Sequence, residues 1–209
     1  MIDLEDIAAL HDQATRAWHG THAGEATHTN PLQRLVLSQH RANFDLWHEE
    51  DAARDPIATD GQIAAVKRRI DTLNQLRNNL AEQLDQLLFE AAGQQSASAP
   101  LHSETPGLII DRLSILSLKT FHTSEEAARS DADTGHRQRA TTRLLTLQTQ
   151  QSDLARCLQE LWQDVLTGKR CFKLYRQFKM YNDPTLNPVL YRARAANAAA
   201  RSADRWAGD

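Results

Sequence analysis

The sequence predicts an all-α protein: an antiparallel helical bundle with two long coiled-coil-like helices and a shorter C-terminal helical segment. Three observations carry that prediction. Glycine and proline are scarce, at 8 and 6 of 209 residues, while the good helix formers Ala, Leu, Gln, Arg and Glu are plentiful. Two long stretches repeat apolar residues at alternating spacings of three and four, the rhythm of a helix face. No stretch alternates apolar and polar residues as a half-buried strand does.

Residues 3–19 read as a short helix with Leu4, Ile7, Leu10 or His11, Ala14 and Trp18 on one side. The polar stretch Gly20 to Thr29 follows. His19, His22 and His28 lie close together in it, but without the fixed spacing of metal ligands, so they read as loop residues. Asn30–Pro31 opens the second helix, with a capping side chain followed by a proline whose missing N–H costs nothing in the first turn. That helix runs through Leu32, Leu35, Val36, His40, Phe44 and Trp47 to about Arg54, where Asp55–Pro56 ends it. His40, Asn43, Trp47 and either Glu50 or Asp51 share one of its sides.

Thr59, with Gln62 three residues on, forms a capping box for the third helix. Its seam is Ile63, Val66, Ile70, Leu73, Arg77, Leu80, Leu84 and Leu87. Arg77 interrupts the apolar run, so its guanidinium must find a carboxylate, amides or an anionic ligand. Residues 93–100 read as a connection of low order. Thr105–Pro106 then starts the fourth helix, which extends to about Arg129 with Ile109, Leu113 and Leu116 as its buried stripe. Asp111 and Arg112 are carried into this apolar neighbourhood, where an unpaired charge costs several kcal/mol at least. Asp111, Leu118, His122 and Glu125 are spaced for one face.

Ser130–Gly135 is a turn or a kink. The fifth helix spans roughly 136–167 on the seam Ala140, Leu144, Leu147, Gln151, Leu154, Leu158, Leu161 and Val165, and Gly168 caps it. Gln151 is its single polar interruption and reads as a register-setting core residue. The third and fifth helices look like antiparallel partners. Beyond them Phe172, Tyr175, Phe178 or Lys179 and Met180 can turn inward from an amphipathic stretch, and Asn182–Asp183–Pro184 and Asn187–Pro188 read as turns. Residues 1–191 are expected to form a single helical domain, with 192–209 an Ala- and Arg-rich tail that packs poorly.

With 41% hydrophobic and 24% charged residues the composition is that of a globular protein. A formal net charge of -3 disfavours a general nucleic-acid binder. The basic groups at 67–69 and 173–179, with Phe172, Tyr175 and Phe178 between, could make a local patch, though an internally paired face accounts for them equally well. Cys157 and Cys171 are too few for a disulfide scaffold and suit a reducing compartment. No apolar run approaches a membrane span, and the acidic start Met1–Asp6 is unlike a secretory signal, so a cytoplasmic location is expected.

Charged residues crowd into His40–Asp51, Lys67–Glu82, Glu104–Glu125 and Lys173–Asp183. Some are ordinary surface pairs, Lys67 with Asp71 among them. The others suggest a site for an anion. Arg77, Arg112, Arg176 and Lys179 would supply donors to phosphate or carboxylate, Asn43, Asn74 and Asn78 would line the site, and His48, Asp51, Asp111 and His122 are the candidate acids and bases. No glycine-rich phosphate loop, GxSxG or HExxH is present. The Glu-x-x-His pair of di-metal bundles is not repeated, so neither metal nor cofactor is expected.

Asn43–Asp51, Lys67–Asn78, Glu104–Gly107 with Ile110–Leu116, and Tyr175–Pro184 together resemble the bacterial DUF4254 family over about residues 30–191. That resemblance supplies no reaction. It implies a setting among glycosyltransferases and surface-polysaccharide synthesis, hence sugar phosphates, nucleotide sugars or the enzymes that use them. Two readings follow: a binding or processing site for an anionic metabolite, and a non-enzymatic helical protein that binds a glycosyltransferase or self-associates as a homodimer.

Overall fold

The computed structural model describes residues 4–20, 30–176 and 183–192. It is an all-α helical bundle of α1 (Ile7–His19), α2 (Pro31–Ala52), α3 (Asp60–Ala92), α4 (Pro106–Ala128) and α5 (Thr134–Leu166). A further turn of helix covers residues 188–192. Among the described residues the extended pairing is a single parallel bridge between Leu101 and Cys171. The chain divides into two compact units, Met1–Tyr175, which holds the five helices, and Arg176–Asp209.

Local chemistry sets the helix starts. The Asn30 side chain accepts from the Leu32 N–H at 2.9 Å, with Pro31 in the first turn. Thr59 and Gln62 close the capping box in both directions. Asp133 accepts from the His136 N–H at 2.8 Å, which starts α5 at Thr134 rather than 136. α1 begins at Ile7 rather than residue 3, and Asp6 makes no side-chain cap there. Residues 172–176 are not helical. Their start is stitched instead to the connection between α3 and α4: the His102 N–H donates to the Cys171 carbonyl at 2.8 Å and the Phe172 N–H to Gln95 Oε1 at 2.9 Å. Phe172 does turn inward, against Phe89.

The core gathers Leu32 and Val36 of α2, Leu84 and Leu88 of α3, Ile109, Ile110 and Leu113 of α4, and Leu158, Leu161, Trp162 and Val165 of α5. α3 packs chiefly on α2, and α5 on α4. The two 33-residue helices are therefore not each other's main partners, contrary to the expectation from their matching seams. The reason is α4. It is buried around much of its girth and contacts both of them. On α3 the buried face drifts from the seam toward Ala81, Asp85 and Leu88, as a 3.6-residue turn does against a 3.5-residue repeat.

One glycine fixes where α4 begins. A Cβ on Gly107 would lie 2.5 Å from the Ala81 carbonyl oxygen and 2.7 Å from Asp85 Oδ1. Only a bare backbone fits there. The Gly107 N–H donates to Asp85 Oδ1 at 2.6 Å, and the Thr105 hydroxyl donates to Asp85 Oδ2 at 2.5 Å. Burial pushes the Asp85 carboxyl up to about 6 even though both bonds pull it down.

Candidate functional site

Polar side chains from all five helices meet inside the bundle and form a connected chain. Asp111 Oδ1 accepts from Asn43 at 2.9 Å and also from Gln39. Arg77 Nε lies 3.2 Å from the same oxygen, as an ion pair without hydrogen-bond alignment. Asn43 donates onward to the Ser114 hydroxyl at 2.9 Å, and Ser114 meets His40 Nδ1 at 2.7 Å. The other His40 nitrogen lies 2.8 Å from the Thr15 hydroxyl, which is 3.3 Å from Ser117. Ser117 donates to Asp12 at 2.6 Å, and Gln151 donates to the same oxygen at 2.9 Å. The chain thus runs from α3 through α4, α2 and α1 to α5.

Apart from the half-buried Arg77 and Asp12 its members are buried, so each bond made inside is one that would otherwise be left as an unsatisfied group costing about 1–3 kcal/mol. Burial pushes the Asp111 carboxyl up, and Arg77, Asn43 and Gln39 oppose it. Burial also holds His40 neutral, lowered to about 3, so its two nitrogens act as one donor and one acceptor.

Beside this chain, joined to it where Trp18 stacks on His40 at 5.1 Å and meets Phe44 at 5.3 Å, lies a cluster of rings. His19 stacks on Phe121 with centroids 4.3 Å apart, and His122 stacks on Trp47 at 4.7 Å and 9°. His48 is 5.3 Å from His19 and 6.1 Å from His122. Burial lowers the His48 pKa first, then the two neighbouring imidazoles, against Asp51 and Asp45. Among the described residues no group of three His, Cys, Asp or Glu side chains is arranged to hold a metal ion.

Two surface cavities flank the cluster. The larger, of about 620 Å³, lies between α4 and α5 and is lined by Lys119, His122, Thr123 and Glu126 from one helix and His136, Arg139, Ala140, Arg143 and Leu147 from the other, with Trp47 as a wall. These are one face of each helix, at spacings of three and four. Lys119 and Arg143 have no salt-bridge partner among the described residues. Glu126, the one carboxylate lining the cavity among the described residues, is already engaged by Arg129 at 3.0 Å and His136 at 2.8 Å. The smaller cavity, of about 520 Å³, is lined by Asp45, His48, Glu49, Arg68, Arg69, Thr72 and Leu73. Its charges are of both signs, and Arg69 is held by Glu49 at 2.6 Å.

The family model described as "Protein of unknown function (DUF4254)" matches residues 33–174. The chain belongs to the DUF4254 family. No match was found among curated proteins or solved structures. In this DUF4254 chain α1 lies before the matched residues, yet Asp12 and Thr15 complete the buried polar chain.

Of the residues singled out in the sequence, Asn43, Arg77 and Asp111 come together. Asn78 is buried beside them in sequence on α3, and Asn74 is half-buried there. Arg112 is exposed rather than carried inward, and pairs with Glu104 at 2.8 Å. Residue 112 follows Asp111 by 100° around the helix, which turns it from core to water. Asp51 and His48 are exposed, although His48 lines the smaller cavity. His122 is half-buried, pairs with Glu125 at 3.0 Å and lines the larger cavity. Arg176 is exposed at the start of the second unit, and Lys179 lies outside the described residues, as do His22, His28 and Phe178. Neither of these two cavities is lined by Arg77 or Arg112.

Sequence reasoning passed over Arg139, Arg143 and His136, whose spacing on one face was available in the letters. It also passed over Ser114 and Ser117, three apart in an apolar helix, and the buried Gln39 and Thr15.

Proposed function

We propose that this DUF4254 protein binds an anionic metabolite in the cleft between α4 and α5, and that the ligand is a phosphorylated compound such as a sugar phosphate or nucleotide sugar of cell-surface polysaccharide synthesis. One observation carries the reading: Lys119, Arg139 and Arg143 converge on a cavity of about 620 Å³ where, among the described residues, the one lining carboxylate is spent on Arg129 and His136. A cleft with surplus cations attracts and orients an anion. Trp47, Ala140 and Leu147 supply an apolar side suited to the body of such a ligand. Sugar chemistry comes from the family resemblance alone.

Calorimetric titration with inorganic phosphate, pyrophosphate, a hexose 1-phosphate and a nucleotide sugar tests this. At least one gives saturable binding, and Arg139→Gln with Arg143→Gln removes it without lowering the melting temperature of the free protein. Ligand at a hundredfold excess over Kd adds about 2.7 kcal/mol of stability. Absence of binding across the four anions refutes the proposal.

The second reading is an interaction protein that docks on a glycosyltransferase or on a second copy of itself. It is favoured by exposed Leu186, Val189, Leu190 and Tyr191 in the second unit. Coiled-coil-like packing of α3 and α5 belongs with this reading, supported by the buried or half-buried seam residues of α5. A cytoplasmic setting is part of either reading, supported by two free cysteines. Among the described residues no helix is long and apolar enough to cross a membrane.

A further inference from the structure

α1 is held by groups of opposite character. Ile7 and Ala14 are buried, and Thr15 and Asp12 bond to His40, Ser117 and Gln151. His11, fully buried between them, has no hydrogen-bond partner on either ring nitrogen. Its ring lies 4.6 Å from that of His40, tilted by 32°. A buried polar atom left unbonded weakens the docking it takes part in. At the other end of α1, His19 packs on Phe121 and, at 5.0 Å, on His122, which with Trp47 walls the α4–α5 cleft.

We propose that α1 is an acid-released strap, undocked by proton uptake at the His11–His40 contact, and that its His19 carries the release to the Trp47–His122 wall of the cleft. The second half rests on the anion-binding reading; the first does not.

Among the groups facing this contact, none with a negative charge bonds to either ring. α2 supplies His40 itself and, over Trp18 at 5.2 Å, the cationic Arg41. α4 supplies the hydroxyls of Ser114 and Ser117, and α5 supplies Gln151. α1 supplies Asp12, whose Oδ1 already takes bonds from Ser117 and Gln151. Burial, and then His40, hold His11 well below the usual imidazole range, and His40 is lowered to about 3. Docked, both rings are neutral; released, an imidazole takes up a proton below about pH 6.5. The released state therefore binds more protons, and the opening equilibrium grows as pH falls. At pH 5.5 it rises about tenfold for one freed imidazole and about a hundredfold for two.

Amide hydrogen exchange by mass spectrometry, normalised to the unfolded chain at each pH, reads this directly. Peptides covering residues 7–19 lose at least tenfold in protection between pH 7.5 and 5.5, while those of the α3 centre do not. His11→Phe cuts that loss by about tenfold, the share of one imidazole; His11→Leu does the same and serves where the phenyl ring does not fit. Protection of α1 unchanged at pH 5.5, or an equal loss in both variants, overturns the strap. Pyrophosphate binding that weakens more at pH 5.5 in the wild type than in the His11 variants supports the coupling. Equal weakening in all three overturns the coupling alone, and no binding of pyrophosphate or of the other three anions at either pH overturns the cleft reading alone.

Discussion

Replacing Gly107 with alanine separates two physical effects that predict opposite signs. Gly107 lies in the first turn of α4 at a negative φ, so helix propensity alone favours alanine by up to about 1 kcal/mol. The added methyl carbon, however, would stand 2.5 Å from the backbone oxygen of Ala81 and 2.7 and 2.8 Å from Oδ1 and Cγ of Asp85. The first of these belongs to the main chain of a long helix and cannot swing away, so α4 must back off α3. Overpacking of that kind costs about 1–3 kcal/mol. Stretching the Gly107 N–H bond to Asp85 adds about 1.5–3 kcal/mol for a bond to a charged group. Against the propensity gain, the net loss is about 1.5–5 kcal/mol, or roughly 3–20 °C in melting temperature for a chain of this size. Urea unfolding followed by helical circular dichroism measures it. Gly61→Ala is the control: it too lies in a first helical turn, and nothing stands within 4 Å of its added Cβ. That variant gains about 0.4–1 kcal/mol. If Gly107→Ala were as stable as the wild type, close approach would not be what places α4.

Three further outcomes follow from the same geometry. Asp85, raised to about 6, contributes stability at low pH that is lost as pH rises from the unfolded value of 3.8 through about 6; Asp85→Asn therefore flattens the stability profile between pH 4 and 6, read by urea midpoints. Asp111→Ala strands Gln39, Asn43 and Arg77 and costs about 3–5 kcal/mol, whereas Arg112→Ala, one residue on, removes an exposed pair and costs less than about 1 kcal/mol. Equal losses in these two variants would show that the burial difference between them is unimportant. His40 has the opposite sign to Asp85: neutral when folded, it favours the native state above pH 6.5, and that contribution is lost as pH falls toward about 3. His40→Gln reduces the acid loss measured between pH 6.5 and 5.

The letters revealed helix starts best, because capping is local: Asn30, Thr59 and Thr105 act on amides two or three residues away. They revealed α5's seam as well, since one partner covers one face throughout. They failed at the pairing of helices, because two matching seams say only that each needs a partner and α4 satisfied both. In the site, Asn43 and Asp111 could be named from charge set among apolar residues. Their relation to His40, Thr15 and Ser117 could not, because those three look like ordinary helix residues until a second helix approaches. Arg112 misled for a geometric reason, being one step round the helix from a core position. The cleft cations were missed because they flank a seam read for its apolar members.

The bonded run from Arg77 to Gln151 also constrains how this bundle can drift. Aliphatic faces slide past one another by a turn, about 5.4 Å, and find new holes of similar depth. A hydroxyl that has left its imidazole finds nothing equivalent one turn away, so α1, α2, α4 and α5 are each keyed to a single longitudinal setting. Insertions or deletions within any of them should be tolerated far less than length changes in the loops between, however well the apolar pattern survives.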